Sequence, residues 1–178
     1  MSSIVCYIAV SMDGFIATAD GGVDWLNPFD DALAGFRDFD ASIGASVMGR
    51  ETYEFMRKHL PPAAPQDRRR TVVLTRRPLG DVPANTTAHA GDIPPLAAEL
   101  KAAAAGRDVW LVGGGQAIRA FLDADAIDRW RLFVVPVMLG DGKRLLAPGQ
   151  EGLRAFTLTN THTFASGVVE LAYDRRRA

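Results

Sequence analysis

The stretch Val109-Trp110-Leu111-Val112-Gly113-Gly114-Gly115-Gln116-Ala117-Ile118-Arg119-Ala120-Phe121-Leu122 decides the fold. Its four leading apolar residues read as a strand buried on both faces, as in the middle of a parallel sheet. Three glycines follow at once, and Ala117, Ile118, Phe121 and Leu122 then recur at helical spacing. The pattern is strand, glycine turn, helix. Without Cβ atoms the glycines let a ligand approach the backbone, and the first N–H groups of a helix lack intrahelical acceptors. The helix dipole adds positive potential at the same point, so the segment suits a phosphate. A bare strand-to-helix turn also uses glycine, but three in succession exceed what a turn requires. The spacing is not G-x-G-x-x-G, and no Gly-Lys-Ser/Thr follows to make a P-loop.

Working outward, residues 4–10 form an apolar strand that breaks at Ser11-Met12-Asp13-Gly14, and 15–17 continue it briefly. A Gly-rich loop leads to Trp25, which suits either a ligand cover or a core anchor. Residues 30–39 read as a helix striped by Leu33, Phe36 and Phe39, with Asp30 and Asp31 in its first turn. Residues 45–48 are a strand, and Gly49-Arg50-Glu51-Thr52 turns into a second helix. The proline-rich run 60–65 is an exposed connection. Residues 71–75 are a buried strand ended by Arg76-Arg77-Pro78, and 86–90 a weaker one. Asp92 caps a helix that opens with Pro94 and Pro95 and ends at Gly106. Beyond the central stretch come a strand at 130–135 closed by Pro136, a Gly-rich loop at 137–143, and an antiparallel hairpin at 156–164 and 167–173. Strands alternating with helices, then a terminal hairpin, predict an α/β fold: a mostly parallel sheet with helices on both faces and antiparallel strands at one edge.

The 178 residues suit one domain over 1–178, with no internal repeat or boundary. A formal net charge of −1 gives no field that attracts nucleic acid or an acidic membrane. No segment has the length and apolarity of a membrane span, and the N-terminal residues lack the pattern of a signal peptide. Cys6 is the only cysteine, so no intrachain disulfide forms and a reducing cytoplasm fits. His59, His89 and His162 share no ligand spacing, so no metal site is expected. No G-x-S-x-G elbow supports acyl hydrolysis.

Three strand ends carry anion chemistry: Gly49-Arg50-Glu51-Thr52, Thr75-Arg76-Arg77 and Gly113-Gly114-Gly115-Gln116. Arginine offers a forked donor and threonine a hydroxyl, both suited to phosphate oxygens. One ligand with several phosphates would use all three, and NADPH is such a ligand.

Five motifs in register carry a resemblance: Ser11-Met12-Asp13-Gly14-Phe15-Ile16-Ala17, Val47-Met48-Gly49-Arg50-Glu51-Thr52, Val72-Val73-Leu74-Thr75-Arg76, Leu111-Val112-Gly113-Gly114-Gly115 and Val135-Pro136-Val137-Met138-Leu139-Gly140-Asp141-Gly142. On these the chain resembles the dihydrofolate reductase-like superfamily, and in particular stand-alone relatives of the reductase domain of the bifunctional riboflavin-biosynthesis deaminase-reductase. The resemblance implies that superfamily's three-layer fold. It implies NADPH-dependent hydride transfer to a C=N bond of a pterin- or pyrimidine-like heterocycle, such as dihydrofolate or 5-amino-6-(5-phosphoribosylamino)uracil. By the match, Gly49, Arg50 and Thr52 contact the cofactor phosphates. Thr75 and Arg76, with neighbouring Arg77, hold the 2′-phosphate side, and Gly113, Gly114, Gly115 and Gln116 meet the pyrophosphate. Ala17 lines the nicotinamide pocket, and Trp25, Asp30 and Pro136 face the substrate. The proton donor is Asp13 or, second, Asp31. The riboflavin-type relatives imply a homodimer. The alternative function is an NADPH-binding or sensing protein that has lost the reductase chemistry.

Overall fold

The computed structural model describes residues 2–59, 69–149 and 152–176. The connection expected at 60–65 lies outside them. The described strands are β1 (Ile4–Ser11), β2 (Phe15–Ala17), β3 (Ile43–Gly49), β4 (Arg70–Leu74), β5 (Thr86–His89), β6 (Asp108–Gly113), β7 (Arg129–Val135), β8 (Lys143–Arg144), β9 (Phe156–Thr163) and β10 (Val169–Arg175). The helices are α1 (Phe36–Ala41), α2 (Arg50–His59), α3 (Ile93–Ala103) and α4 (Gly115–Asp123), with a 3-10 segment at Asp24–Leu33.

Eight strands form one sheet in the order β5-β4-β3-β6-β1-β7-β10-β9. The first six run parallel. β10 runs antiparallel to both β7 and β9, which makes the terminal hairpin the sheet's edge. β2 and β8 pair separately as a short antiparallel ribbon. β1 lies between two parallel neighbours, so its side chains alternate between two buried faces. Ile4 and Cys6 point to one core cluster, Val5 and Tyr7 to another.

Helices α3 and α4 cover the first face. Leu96 and Leu100 of α3 and Ile118 and Phe121 of α4 pack on Val47, Val72, Val109 and Leu111. Each such fully buried side chain contributes about 1.5–3 kcal/mol. Burial also pushes the Cys6 thiol up, which makes it an inert core group. The second face has two separate covers. Tyr53 of α2 packs with Met48 and Val73, while the 3-10 segment and α1 lie over Val5, Tyr7, Phe133 and Val135. β6 passes between these covers. Val109 and Leu111 are buried, but Trp110 and Val112 are only half-buried, so the strand is not sealed on both faces as its apolar run predicts.

Two local expectations are corrected. The helix expected at 30–39 is instead the 3-10 segment Asp24–Leu33 followed by α1. Pro28 lies within the former, Phe29 leaves helical geometry at φ −117° and ψ 37°, and Gly35 separates the two pieces. Leu33, read as part of the apolar stripe, is 63 % exposed. Asp92 does stand at the N-cap of α3, but its side chain makes no capping hydrogen bond. A capping oxygen accepts from the second or third helical N–H, and those positions are Pro94 and Pro95, which have none.

At Gly44 the sheet touches the end of α3. A Cβ there would overlap the Ala104 carbonyl oxygen and lie 2.7 Å from its Cα. Both are backbone atoms that cannot rotate away. Gly44→Ala is therefore expected to destabilise the protein by about 1–3 kcal/mol, the usual range for overpacking, measured by urea denaturation. An unchanged midpoint would show that α3 is free to shift.

Candidate functional site

The carboxyl ends of β3 and β6 face each other, and a helix leaves each at once: α2 from β3 and α4 from β6. The helices lie on opposite faces of the sheet, so their N-termini converge on one point. The two helix starts come to within van der Waals range of each other. A Cβ on Gly49 would lie 3.7 Å from the Gly114 nitrogen and 3.8 Å from Ala117 Cβ. A Cβ on Gly114 would lie 3.4 Å from Thr52 Oγ1. Gly49, Thr52, Gly114 and Ala117 are thus neighbours, and the unpaired N–H groups and dipoles of two helices add there.

The three central glycines are not equivalent. Gly113 has φ 128°, a conformation that side chains disfavour, and its peptide bond to Gly114 is cis. Gly115 lies under the segment after β8: a Cβ there would overlap the Arg144 carbonyl oxygen and sit 3.2 Å from that of Leu145. Gly114 is the N-cap of α4 with ordinary angles, φ −72° and ψ −166°. Its bareness is required neither by its conformation nor by packing of the kind seen at Gly115. Gln116 is exposed beside it.

Arg50 opens α2 and directs part of its guanidinium to other parts of the protein. Its Nε donates to Glu54 Oε1 at 2.6 Å, and its Nη1 donates to the carbonyls of Arg77 at 3.2 Å and Pro78 at 2.9 Å. It thereby ties the loop after β4 to the start of α2. In that loop the Arg77 N–H donates to Thr75 Oγ1 at 3.1 Å, and the side chains of Arg76 and Arg77 are exposed.

β2 and β8 form a strap over the strand ends. Ala17 of β2 is buried, and a Cβ on Gly142 would overlap its carbonyl oxygen. Lys143 Nζ pairs with Glu51 Oε2 of α2 at 2.5 Å, and the Arg144 guanidinium lies 4.9 Å from the ring centre of Phe15. The Lys143–Glu51 pair is absent from the sequence reading. Its partners are 92 residues apart, and no local pattern announces it.

Asp13 sits in the turn after β1. Its carboxylate accepts from Ser11 Oγ at 2.6 Å, from Gly140 N–H at 2.7 Å and from Leu139 N–H at 3.2 Å. The Ser11 hydroxyl, followed by the two N–H groups, holds the carboxyl below the usual range. Ser11, also missed in the sequence, is buried and accepts from Phe15 N–H at 2.9 Å. Asp31 accepts from the Ser166 N–H at 2.9 Å, tying the 3-10 segment to the turn between β9 and β10. The Ser166 side chain and then its N–H lower the Asp31 carboxyl in turn. Both shifts run opposite to the upward shift that favours a general acid. Trp25 is half-buried against the Tyr7 and Phe133 cluster. Asp30 and Pro136 are exposed, Pro136 beside Gly167. Among the described residues no group of His, Cys, Asp and Glu is arranged to hold a metal, and no helix is long and apolar enough to cross a membrane.

Residues 2–170 match the family model described as the RibD C-terminal domain. The uncharacterized protein YwjB of Bacillus subtilis (strain 168) is 36% identical over 139 residues, 78% of this chain and 79% of its own. A structure from Shewanella sp. PV-4, provisionally named a riboflavin biosynthesis protein, superposes with TM-score 0.82 at 26% identity, covering 99% of this chain and 100% of that one. Dihydrofolate reductase from Enterococcus faecalis, solved with NADP(H), superposes with TM-score 0.68 at 16% identity over 98% of this chain and 97% of its own, and shows the shared fold. The dihydrofolate reductase-like fold expected from the motifs is the fold observed.

The glycine geometry separates folding from ligand approach. Gly115→Ala is expected to cost about 1–3 kcal/mol in urea denaturation, because carbonyl oxygens block the new Cβ. Gly114→Ala should stay within about 0.5 kcal/mol of wild type. The reverse order would mean that Gly114, and not Gly115, is the packing position.

Proposed function

The chain belongs to the RibD C-terminal domain family, and from that premise we propose that it is an NADPH-dependent reductase acting on a C=N bond of a pterin- or pyrimidine-like heterocycle. The observation that carries the proposal is the convergence of the α2 and α4 N-termini at Gly49, Thr52 and Gly114. Two helix ends with a bare backbone between them suit a pyrophosphate, and a Cβ at Gly114 would narrow that cradle. The residues present therefore fit the cofactor, which when bound supplies the hydride.

The N–H groups of both helices and the Thr52 hydroxyl bind the pyrophosphate, with Gly113, Gly115 and Gln116 flanking it. Thr75, Arg76 and Arg77 take the 2′-phosphate. Arg50 positions their loop through its two carbonyl contacts. Ala17, under the β2–β8 strap, borders the nicotinamide side. Trp25, Asp30 and Pro136 border the substrate side. Asp13 orders the 139–140 loop through its accepted hydrogen bonds, and Asp31 holds the 3-10 segment. Asp13 is the first candidate for the proton to the substrate nitrogen and Asp31 the second, with a bound water as the further source. The lowering of both carboxyls favours a second reading, a protein that binds NADPH as a sensor and has lost the reductase chemistry. NADPH oxidation with a panel of dihydropterins and aminopyrimidines separates the two. Steady turnover supports the reductase, and NADPH binding without turnover supports the sensor.

NADPH is expected to bind at least tenfold more tightly than NADH in calorimetric titration. Charge-assisted hydrogen bonds to a 2′-phosphate are worth about 1.5–3 kcal/mol each. Arg76→Ala should remove most of the preference, and Gly114→Val should weaken NADPH binding without lowering the melting temperature. Equal affinity of wild type for both nucleotides would overturn the assignment.

We also infer a homodimer through the terminal hairpin. Seven of the eight residues of β9 are exposed, among them Leu158 at 50 %. β9 is an outer strand of the sheet, and such edges are usually covered or paired. Light scattering at micromolar concentration should give twice the chain mass, and a Leu158→Lys variant should give the monomer.

A further inference from the structure

A third side of the nucleotide cradle comes from a distant segment. Residues 143–145 run between the two helix starts. Their backbone lies against α4: a Cβ on Gly115 would overlap the Arg144 carbonyl oxygen and sit 3.2 Å from that of Leu145. The Ala147 N–H then donates to the Gly115 carbonyl at 3.4 Å. The first side chain of the segment reaches α2, where Lys143 Nζ donates to Glu51 Oε2 at 2.5 Å. Glu51 stands between Arg50 and Thr52 in the first turn of that helix. Lys143 is thus a cation on the rim of the cradle, carried there by β8.

Glu51 acts in two opposite senses. An acid in the first turn stabilises its own helix through the dipole. The same place sets a negative charge beside N–H groups that attract an anion. Glu51 is exposed and Lys143 half-buried, so their pair adds little to stability. Its effect is on the local charge, which Lys143 neutralises. An ammonium has three N–H donors, and Glu51 takes one. The neighbouring charges are directed elsewhere. Arg50 turns its Nε to Glu54 and its Nη1 to the Arg77 and Pro78 carbonyls. The Arg144 guanidinium lies on the Phe15 ring. On the other side of Lys143 is the loop of Gly21, whose Cβ would lie 3.7 Å from Lys143 Nζ. Asp20 of that loop accepts from the Thr18 hydroxyl and from the Gly22 N–H at 3.3 Å.

We propose that Lys143 is a cofactor-binding residue: its ammonium takes a pyrophosphate oxygen of the dinucleotide while it neutralises Glu51, which alone opposes binding. The inference rests on the reading of the cradle as a dinucleotide site. It assigns to Lys143 the phosphates that NADPH and NADH share, whereas Arg76 and Arg77 meet the 2′-phosphate that NADPH adds. Lysine suits this task, because it binds phosphate as a point charge and needs no second oxygen in one plane.

Calorimetric titration of the full chain with NADPH, NADH and adenosine 2′-monophosphate tests this. Lys143→Met should weaken NADPH and NADH by the same factor, about tenfold. It should leave their ratio, and the affinity for adenosine 2′-monophosphate, unchanged. Lys143→Arg should keep most of the affinity. Glu51→Gln should tighten both dinucleotides several-fold. If the pair only fastened the strap, Glu51→Gln would weaken binding as Lys143→Met does, and that result overturns the proposal. So does a Lys143→Met variant that binds NADPH as wild type does, or one that loses the preference for NADPH. Glu51→Gln is read against wild type alone, so it decides the matter even where Lys143→Met fails to fold. A wild type that binds neither dinucleotide overturns the reading of the cradle, and this inference with it.

Discussion

The approach of two helix starts to one another across the sheet is the constraint on which the site depends. α2 and α4 leave neighbouring strands toward opposite faces, and both must begin within a few ångströms of the Gly113–Gly114 backbone. A side chain at Gly49 or Gly114 would project into that gap. The consequence is electrostatic. Helix N-terminal N–H groups that would otherwise be dispersed point at one place, with the Thr52 hydroxyl among them.

The chain around this point is braced by contacts between segments distant in sequence. Arg50 holds the loop after β4, Lys143 holds the β2–β8 strap to Glu51, and Asp13 holds the loop after β7. Exposed pairs of this kind contribute little to stability, typically 0–1 kcal/mol. Their effect is positional: each spans a gap between loops at the carboxyl ends of the strands, where parallel α/β sheets place their ligands. Asp13, the first candidate proton donor, accepts three of these hydrogen bonds, and its carboxyl is lowered by them.

The two ends of the sheet divide the charged groups differently. At the carboxyl ends the arginines after β4 are exposed and their backbone is fixed. At the amino ends Arg131 is itself fixed, by Glu170 and three rings. Tyr7 lies beneath the part of the second face that a six-residue helix and a 3-10 segment cover.

The sequence alone determined the eight strands of the main sheet, three of the four described helices, the mostly parallel sheet implied by their alternation and the glycine positions, but not the β2–β8 ribbon, whose strands read as a continuation of β1 and part of a loop. These follow from apolar periodicity and turn chemistry that operate within a few residues. It misread the region 24–41, because Leu33, Phe36 and Phe39 mimic a helical stripe while Pro28 and Gly35 divide the backbone. It also marked Gly113, Gly114 and Gly115 as one feature, whereas a positive φ explains Gly113, packing against residues 144–145 explains Gly115, and neither applies to Gly114. Tertiary structure alone decided the donors around the acids and the partners of the arginines. Asp13 meets Gly140 across 127 residues and Asp31 meets Ser166 across 135. A pKa is set by donors in space, and no local pattern in the chain records which distant N–H will arrive.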